Sequence, residues 1–354
     1  MATTFPRLLQ QHAQTRPDAP ALREKEYGIW QTWSWQRAWD EARWMAAGLA
    51  ALGFAPGQNL AIVGDNRPHL YLMFVAVQCL RGVPVPMYQD AVAAEMAFVL
   101  QDAEVRFVFA ENQEQVDKML ELRPQLPGLT HIVYDDPRGL RNYRQPGLVS
   151  VQELMALGQQ HVQAHPQQLD DLVAAGEPGD VSVILYTSGT TGRPKGVCQT
   201  HESFIGAARG GVETDGLGPS DNVLSYLPPA WVGDHLFSVA QWLVAGFTIN
   251  CPESSETVAI DMREIGPTYY FAPPRVFEGM LTSVSIRMED AARAKQWMHR
   301  RFMDVARRVG SDVLDGKPVA LGDRLMYGLG KLLVYGPLKN AMGLSRIRVA
   351  YTAG

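Results

Sequence analysis

From residue 59 onward, short apolar runs alternate with stretches whose apolar residues recur every three or four positions. Residues 60–63, 83–86, 105–109 and 131–134 read as strands. Three helices fall between them. The first is capped by Asn66, has Pro68 in its first turn, and is apolar almost all round to Leu80, which predicts burial. The second is capped by Asp90 and lines up Val92, Met96, Val99, Leu100 and Ala103; the third covers 113–122. Such alternation with short connections predicts a parallel, doubly wound sheet. The first turn, Val63-Gly64-Asp65-Asn66, lacks G-x-G-x-x-G, so a dinucleotide site is not expected there.

Ahead of this region, 21–23 and 30–33 predict a hairpin turning at Tyr27-Gly28. Ser34 then caps a helix with Trp35, Trp39, Ala42, Ala46 and Leu49 on its apolar face, ending near Gly53. Residues 137–178 are polar and rich in Gln, Gly and Pro, with one helix at 151–158. They suggest two subdomains, 1–170 and 171–354. The second repeats the alternation, with strands at 181–186, 222–227, 247–250, 268–272 and 347–351. Its helices are one capped by Thr200, two near 236–245 and 260–265, and a long basic one over 283–314 that reads as a solvated face. The expected class is α/β, two doubly wound βα halves with mostly parallel sheets.

The composition, 46% hydrophobic and 19% charged, is that of a globular protein, and a net charge of −5 gives no sign of a nucleic-acid surface. Cys79, Cys198 and Cys251 are too scattered for a disulfide framework or a CxxC metal site. A cytoplasmic setting follows as the expectation, as no apolar leader segment is present at the N-terminus and no apolar run is long enough to span a bilayer. Peripheral contact with a membrane and a homodimer stay open.

The chemistry concentrates in YTSGTTGRPKGV, residues 186–197, which follows the apolar run 181–185. Glycines let backbone N–H groups turn toward one point, hydroxyls add donors, and Lys195 adds a compact cation. Thr187, Ser188, Gly189, Thr190, Thr191, Gly192 and Lys195 therefore make a cradle for a polyphosphate. It is not a Walker A loop: Pro194 and Gly196 stand where Gly and Ser/Thr are needed. No G-x-S-x-G is present to suggest a serine nucleophile, and His69, His131 and His299 have no second ligand at metal spacing.

This string resembles the phosphate loop of the adenylate-forming enzymes, the superfamily of acyl-CoA synthetases, luciferases and amino-acid adenylation domains. Further stretches resemble its bacterial long-chain fatty-acyl-CoA synthetases: QNLAIVGDNRPHLYLMFVAVQCLRGVPVPMY, LSYLPPAWVGD at 224–234, TYYFAPPRVFEGM and the YTAG at 351–354. Trp231 stands where many of these carry a histidine, with His235 four residues on, and Asp234 is a carboxylate beside an otherwise greasy segment.

The resemblance implies ATP-dependent activation of a carboxylic acid, a long-chain fatty acid, to an acyl adenylate, followed by transfer to coenzyme A. ATP, coenzyme A and magnesium would be the cofactors and co-substrates. Lys195 and the 189–192 amides would hold the leaving pyrophosphate, Thr187 or Ser188 would touch the α-phosphate or magnesium, and Ala353 and Gly354 would open the adenine contact. Trp231, Phe237, Tyr270 and Phe271 would line the acyl site; the metal ligands remain unassigned. His201 would orient the loop. Other readings are activation of an aromatic, short-chain or amino acid, with Asp234 suited to an amino group, and a non-catalytic nucleotide-binding remnant. Relatives continue past the adenine segment into a metal-binding motif and a small lid domain. The expectation is therefore a truncated N-terminal portion, inactive alone.

Overall fold

The computed structural model describes residues 3–187 and 193–353. They form a mixed α/β structure with mostly parallel sheets. It divides into two compact units, Met1–Glu253 and Ser254–Gly354.

In the first unit, β1 (Pro20–Glu26) and β2 (Ile29–Ser34) pair antiparallel, turning at Tyr27 and Gly28, both with positive φ. Ser34 accepts from Arg37 N at 3.2 Å and caps the helix Trp35–Ala51, as its pattern predicts. Five parallel strands follow: β3 (Asn59–Val63), β4 (Val83–Met87), β5 (Phe107–Ala110), β6 (His131–Tyr134) and β7 (Leu148–Ser150), in the order β4-β3-β5-β6-β7. Val108, Ile132, Val116, Met119 and Leu100 belong to the core cluster of this sheet. The helix Pro68–Cys79 is buried on every side, as its apolar sequence demands.

Two expected caps are not used. The helix after β3 begins behind Arg67, whose extended backbone is what a residue preceding proline adopts, and Asn66 turns its side chain into the interior instead. The next helix, Ala93–Asp102, starts behind Val92, so Asp90 lies too early to cap it.

The polar stretch 137–178 is more ordered than its composition suggests. It holds β7, a helix Val151–Ala164 with a Ser150/Glu153 capping box, and a helix Gln168–Ala175. Helices 151–164 and 35–51 touch backbone to backbone: a Cβ on Gly158 would stand 1.8 Å from the Trp44 carbonyl oxygen. That contact fixes the helix 151–164 against the helix 35–51 within the unit Met1–Glu253.

β8 (Val181–Thr187) and β9 (Lys195–Thr200) form a separate antiparallel hairpin. Thr200 caps the helix His201–Asp215. Strands β10 (Asn222–Leu224) and β11 (Thr248–Cys251) run parallel, and β11 also pairs parallel with β1. Between them, residues 232–245 form one continuous helical stretch with a π turn at His235–Ala240.

In the second unit, β12 (Tyr269–Ala272) and β13 (Val349–Thr352) pair in parallel. The helix expected over 283–314 is two helices, Pro274–Glu289 and Arg293–Leu314. Residues 321–341 add a further helical stretch.

Candidate nucleotide and acyl site

The glycine–threonine loop joins the two strands of the β8/β9 hairpin. Thr187 closes β8, Lys195 opens β9, and the two are cross-strand partners. Lys195 is exposed and has no acidic partner among the described residues. A hydroxyl and an unpaired ammonium thus flank the mouth of the loop, which fits an incoming phosphate chain. Ser188, Gly189, Thr190, Thr191 and Gly192, the rest of the expected cradle, lie outside the described residues, as does Gly354.

The hairpin is anchored from three sides. Tyr186 Oη donates to Asp102 at 2.6 Å, Gln78 Nε2 donates to the Ser182 carbonyl at 2.8 Å, and Arg81 forks onto both oxygens of Asp180 at 3.0 and 3.1 Å. Gly196, opposite Tyr186, permits the close packing: a Cβ there would come within 2.9 Å of Ile184. His201 follows directly. Burial pulls it down to about 4, against a smaller opposing pull from Asp180, so the ring is neutral, and Nδ1 accepts from Phe5 N at 3.3 Å. It holds the base of the hairpin and carries no charge at neutral pH.

The 231–238 segment places a polar cluster inside the protein. Asp234 is buried and no cation pairs with it among the described residues. Tyr71 Oη donates to it at 3.0 Å, Ser225 Oγ at 3.1 Å and Asn66 Nδ2 at 3.3 Å, and Ser238 adds a fourth contact. Burial pushes the carboxyl up to about 7, against these hydrogen bonds, which favour the ionised form. His235 points elsewhere, among Phe5, Phe74 and Phe204. Burial lowers it to about 3, and neither ring nitrogen has a hydrogen-bond partner in the described residues. It cannot stand in for an exposed motif histidine. Trp231 lies against Gly233 and is half-buried, as is Phe237. Tyr270 and Phe271 belong to the second unit, where Tyr270 meets Phe277 edge-on at 5.8 Å. Ala353 is exposed just past β13.

The Asp-Asn-Arg triplet after β3 has a role that spacing alone does not reveal. Asp65 N donates to Glu111 at 2.7 Å. Arg67 bridges Glu111 at 3.1 Å and Glu24 at 3.5 Å, and donates to the Pro252 and Glu253 carbonyls. It locks the ends of β3 and β5 to β1 and the chain leaving β11. Among the described residues no group of three His, Cys, Asp or Glu side chains could hold a metal, and no helix is long and apolar enough to cross a membrane.

A parallel β3–β7 sheet beside a hairpin that carries a glycine-hydroxyl-lysine loop defines a class. The chain belongs to the AMP-binding enzyme family, whose model matches residues 9–353. It is similar to the long-chain-fatty-acid–CoA ligase ACSBG2 of Xenopus laevis, 28% identical over 360 residues, which cover 99% of this chain and 47% of that protein. Among solved structures it is similar to the anthranilate CoA ligase AuaEII in complex with anthranoyl-AMP, with TM-score 0.66 and 20% identity over 77% of this chain and 50% of that one. A putative long-chain-fatty-acid CoA ligase from Rhodopseudomonas palustris gives TM-score 0.63 and 19% identity over 83% and 67%. At that identity the structures speak for the fold alone. The chain spans about half the length of the curated relatives it matches.

Proposed function

We propose that the protein activates a long-chain fatty acid with ATP, forming an acyl adenylate, and transfers the acyl group to coenzyme A. The observation that carries this reading is the Thr187–Lys195 pair flanking the loop, in a chain matched by the AMP-binding model over 9–353. The long-chain preference is supported by the names of the relatives. In the first step a carboxylate oxygen attacks the α-phosphorus of ATP and pyrophosphate leaves. Lys195 and the loop amides 189–192 stabilise the charge that builds on the leaving group, with Thr187 or Ser188 at the α-phosphate. Trp231 and Phe237, with Tyr270 and Phe271, are the residues we assign to the acyl chain. Ala353 and Gly354 are assigned to the adenine. Magnesium accompanies the nucleotide in this proposal, and no step is routed through it.

Amino-acid activation loses its supporting feature. Asp234 already accepts from three side chains and contacts a fourth, leaving no evident place for an ammonium group. The test is ATP binding by calorimetry, paired with ATP–pyrophosphate exchange on a panel of palmitate, benzoate, acetate and aspartate. Lys195→Ala should weaken ATP binding by about 1.5–3 kcal/mol. Unchanged affinity would remove Lys195 from the phosphate site, and exchange driven by an acid other than palmitate would reassign the substrate.

A further inference from the structure

The helical stretch 321–341 in the second unit presents two unlike sides. Its inner side packs within the unit: Tyr335 Oη donates to the Phe302 carbonyl at 2.5 Å, the Tyr327 and Tyr335 rings lie 5.3 Å apart, and Val334 and Gly330 are buried. Arg308 of the neighbouring helix pairs with Asp323. The outer side carries Leu321, Leu325, Leu329, Leu332 and Leu333. All five are exposed, Leu321 by 84% and Leu332 by 72%. At about 100° per residue through Leu321–Gly330 and somewhat less through the π turn Lys331–Tyr335, they fall on one stripe, and Arg324 and Lys331 fall together along one margin of it. Both cations are exposed, with no acidic partner among the described residues.

We propose that this leucine stripe docks onto an anionic lipid bilayer, with Arg324 and Lys331 at the headgroups. The proposal goes beyond the reaction and does not depend on which acid is activated. A helix lying in the interface needs leucines on one side and cations beside them, and that is the arrangement here. Charge selects the occupant. Residues 274–341 hold twelve Lys and Arg against seven Asp and Glu, a net +5, in a chain whose total is −5. The two arginines at 346 and 348 raise the net charge of 274–354 to +7, against −12 for residues 1–273, so the leucines lie in the positively charged part of the chain. A second copy of the chain is the weaker fit. A two-fold contact would lay the same patch on itself, and that patch offers Arg324 and Lys331 no acid, its Asp323 being paired with Arg308. The glycines at 322, 328 and 330 make the helix intrinsically weak, so docking would also firm it.

The experiment is cosedimentation of the whole chain with sucrose-loaded vesicles. One set is phosphatidylcholine alone; the other contains about one third phosphatidylserine. Binding should favour the anionic vesicles and weaken as salt rises. Arg324→Gln/Lys331→Gln should reduce it by roughly fivefold per cation removed. Leu325→Glu/Leu332→Glu should abolish it, while circular dichroism stays unchanged because both sites are exposed. Absence of vesicle binding, or equal binding to both vesicle types by the parent and the charge variant, overturns the proposal. So does a sedimentation-velocity dimer that the leucine substitutions dissolve without any vesicle binding, which would assign the stripe to self-association.

Discussion

His69 and Tyr71 stand two residues apart on the helix 68–79, and they lead into opposite kinds of polar interior. His69 sits between two carboxylates, with Nδ1 2.6 Å from Asp135 and Nε2 3.4 Å from Glu41. The second contact is an ion pair, and Nε2 makes no hydrogen bond among the described residues. Burial alone would pull the imidazole down, but the two carboxylates outweigh it and hold it at about 10. Glu41 in turn accepts from Trp33 Nε1 at 2.7 Å and Arg37 Nε at 2.8 Å. Tyr71 reaches a carboxylate that has only neutral donors, and burial raises Asp234 to about 7. One site pairs its charges and the other leaves a carboxyl close to neutrality. The lesson is local: neutral hydrogen bonds do not keep Asp234 in its ordinary ionised range, whereas against the pull of burial His69 and Arg37 hold Glu41 below its ordinary value.

Three substitutions test this contrast, and tryptophan fluorescence is suited to them because seven of the eight tryptophans lie in Met1–Glu253. The largest effect is expected at His69. His69→Leu removes the cation between two buried acids and should cost about 3 kcal/mol in urea unfolding at pH 6. The folded imidazole, at about 10, lies above its unfolded value of 6.5. Its contribution is therefore complete below pH 6.5 and disappears as pH rises through 10. The gap between parent and variant should close over that window; a gap that stays constant would mean that packing, not charge, explains the loss.

Asp234→Asn should act in the other direction. The folded carboxyl at about 7 lies above the unfolded 3.8, so the parent loses stability as pH rises between these values. Asparagine resembles the protonated acid and does not titrate. The variant should gain on the parent by about 2 kcal/mol between pH 4 and 8. Glu24, which burial also raises to about 7, is common to both proteins and drops out of the difference. Parallel pH profiles would show that Asp234 is ionised throughout and that the two sites are alike.

Tyr71→Phe is the smallest of the three. It removes one donor to Asp234 and the acceptor for Asn66, and should cost about 1 kcal/mol. It should also move the Asp234 titration upward, since one interaction favouring the ionised form is gone. An unchanged midpoint in the difference between Tyr71→Phe and Tyr71→Phe/Asp234→Asn would break the link between the two residues.

What could be read from the chain follows how local each feature is. The 27–28 turn, the Ser34 and Thr200 caps and the buried helix 68–79 depend on residues within a few positions, and all are present. The AMP-binding family was legible because the string 186–197 carries its resemblance within a few residues. The destination of Asn66 was not: its spacing before Pro68 suits a cap, but its partners Leu227 and Asp234 lie 161 and 168 residues away. Asp234 was conspicuous as a lone carboxylate, yet only the fold brings Tyr71 and Ser225 to it. β9 escaped because its KGVCQT is largely exposed and carries no apolar alternation. The two helices inside 274–314 merge in the sequence because the Asp290-Ala291-Ala292 break contains neither glycine nor proline.

The π turn at His235–Ala240 permits a change that substitutions do not probe. A π turn holds one residue more than the α-helical turn it replaces. Deleting one residue there would close the π turn into an α-turn and leave the helix before and after it in its present orientation. Asp234, ahead of the turn, would keep Tyr71 and Ser225, while Ser238, inside it, would shift against Ser225. The turn is thus a place where the length of the chain can change by one without re-aiming its surroundings. A one-residue deletion between 235 and 240 should do less harm than one inside the helix Trp35–Ala51, where every side chain beyond the deletion would rotate by about 100°.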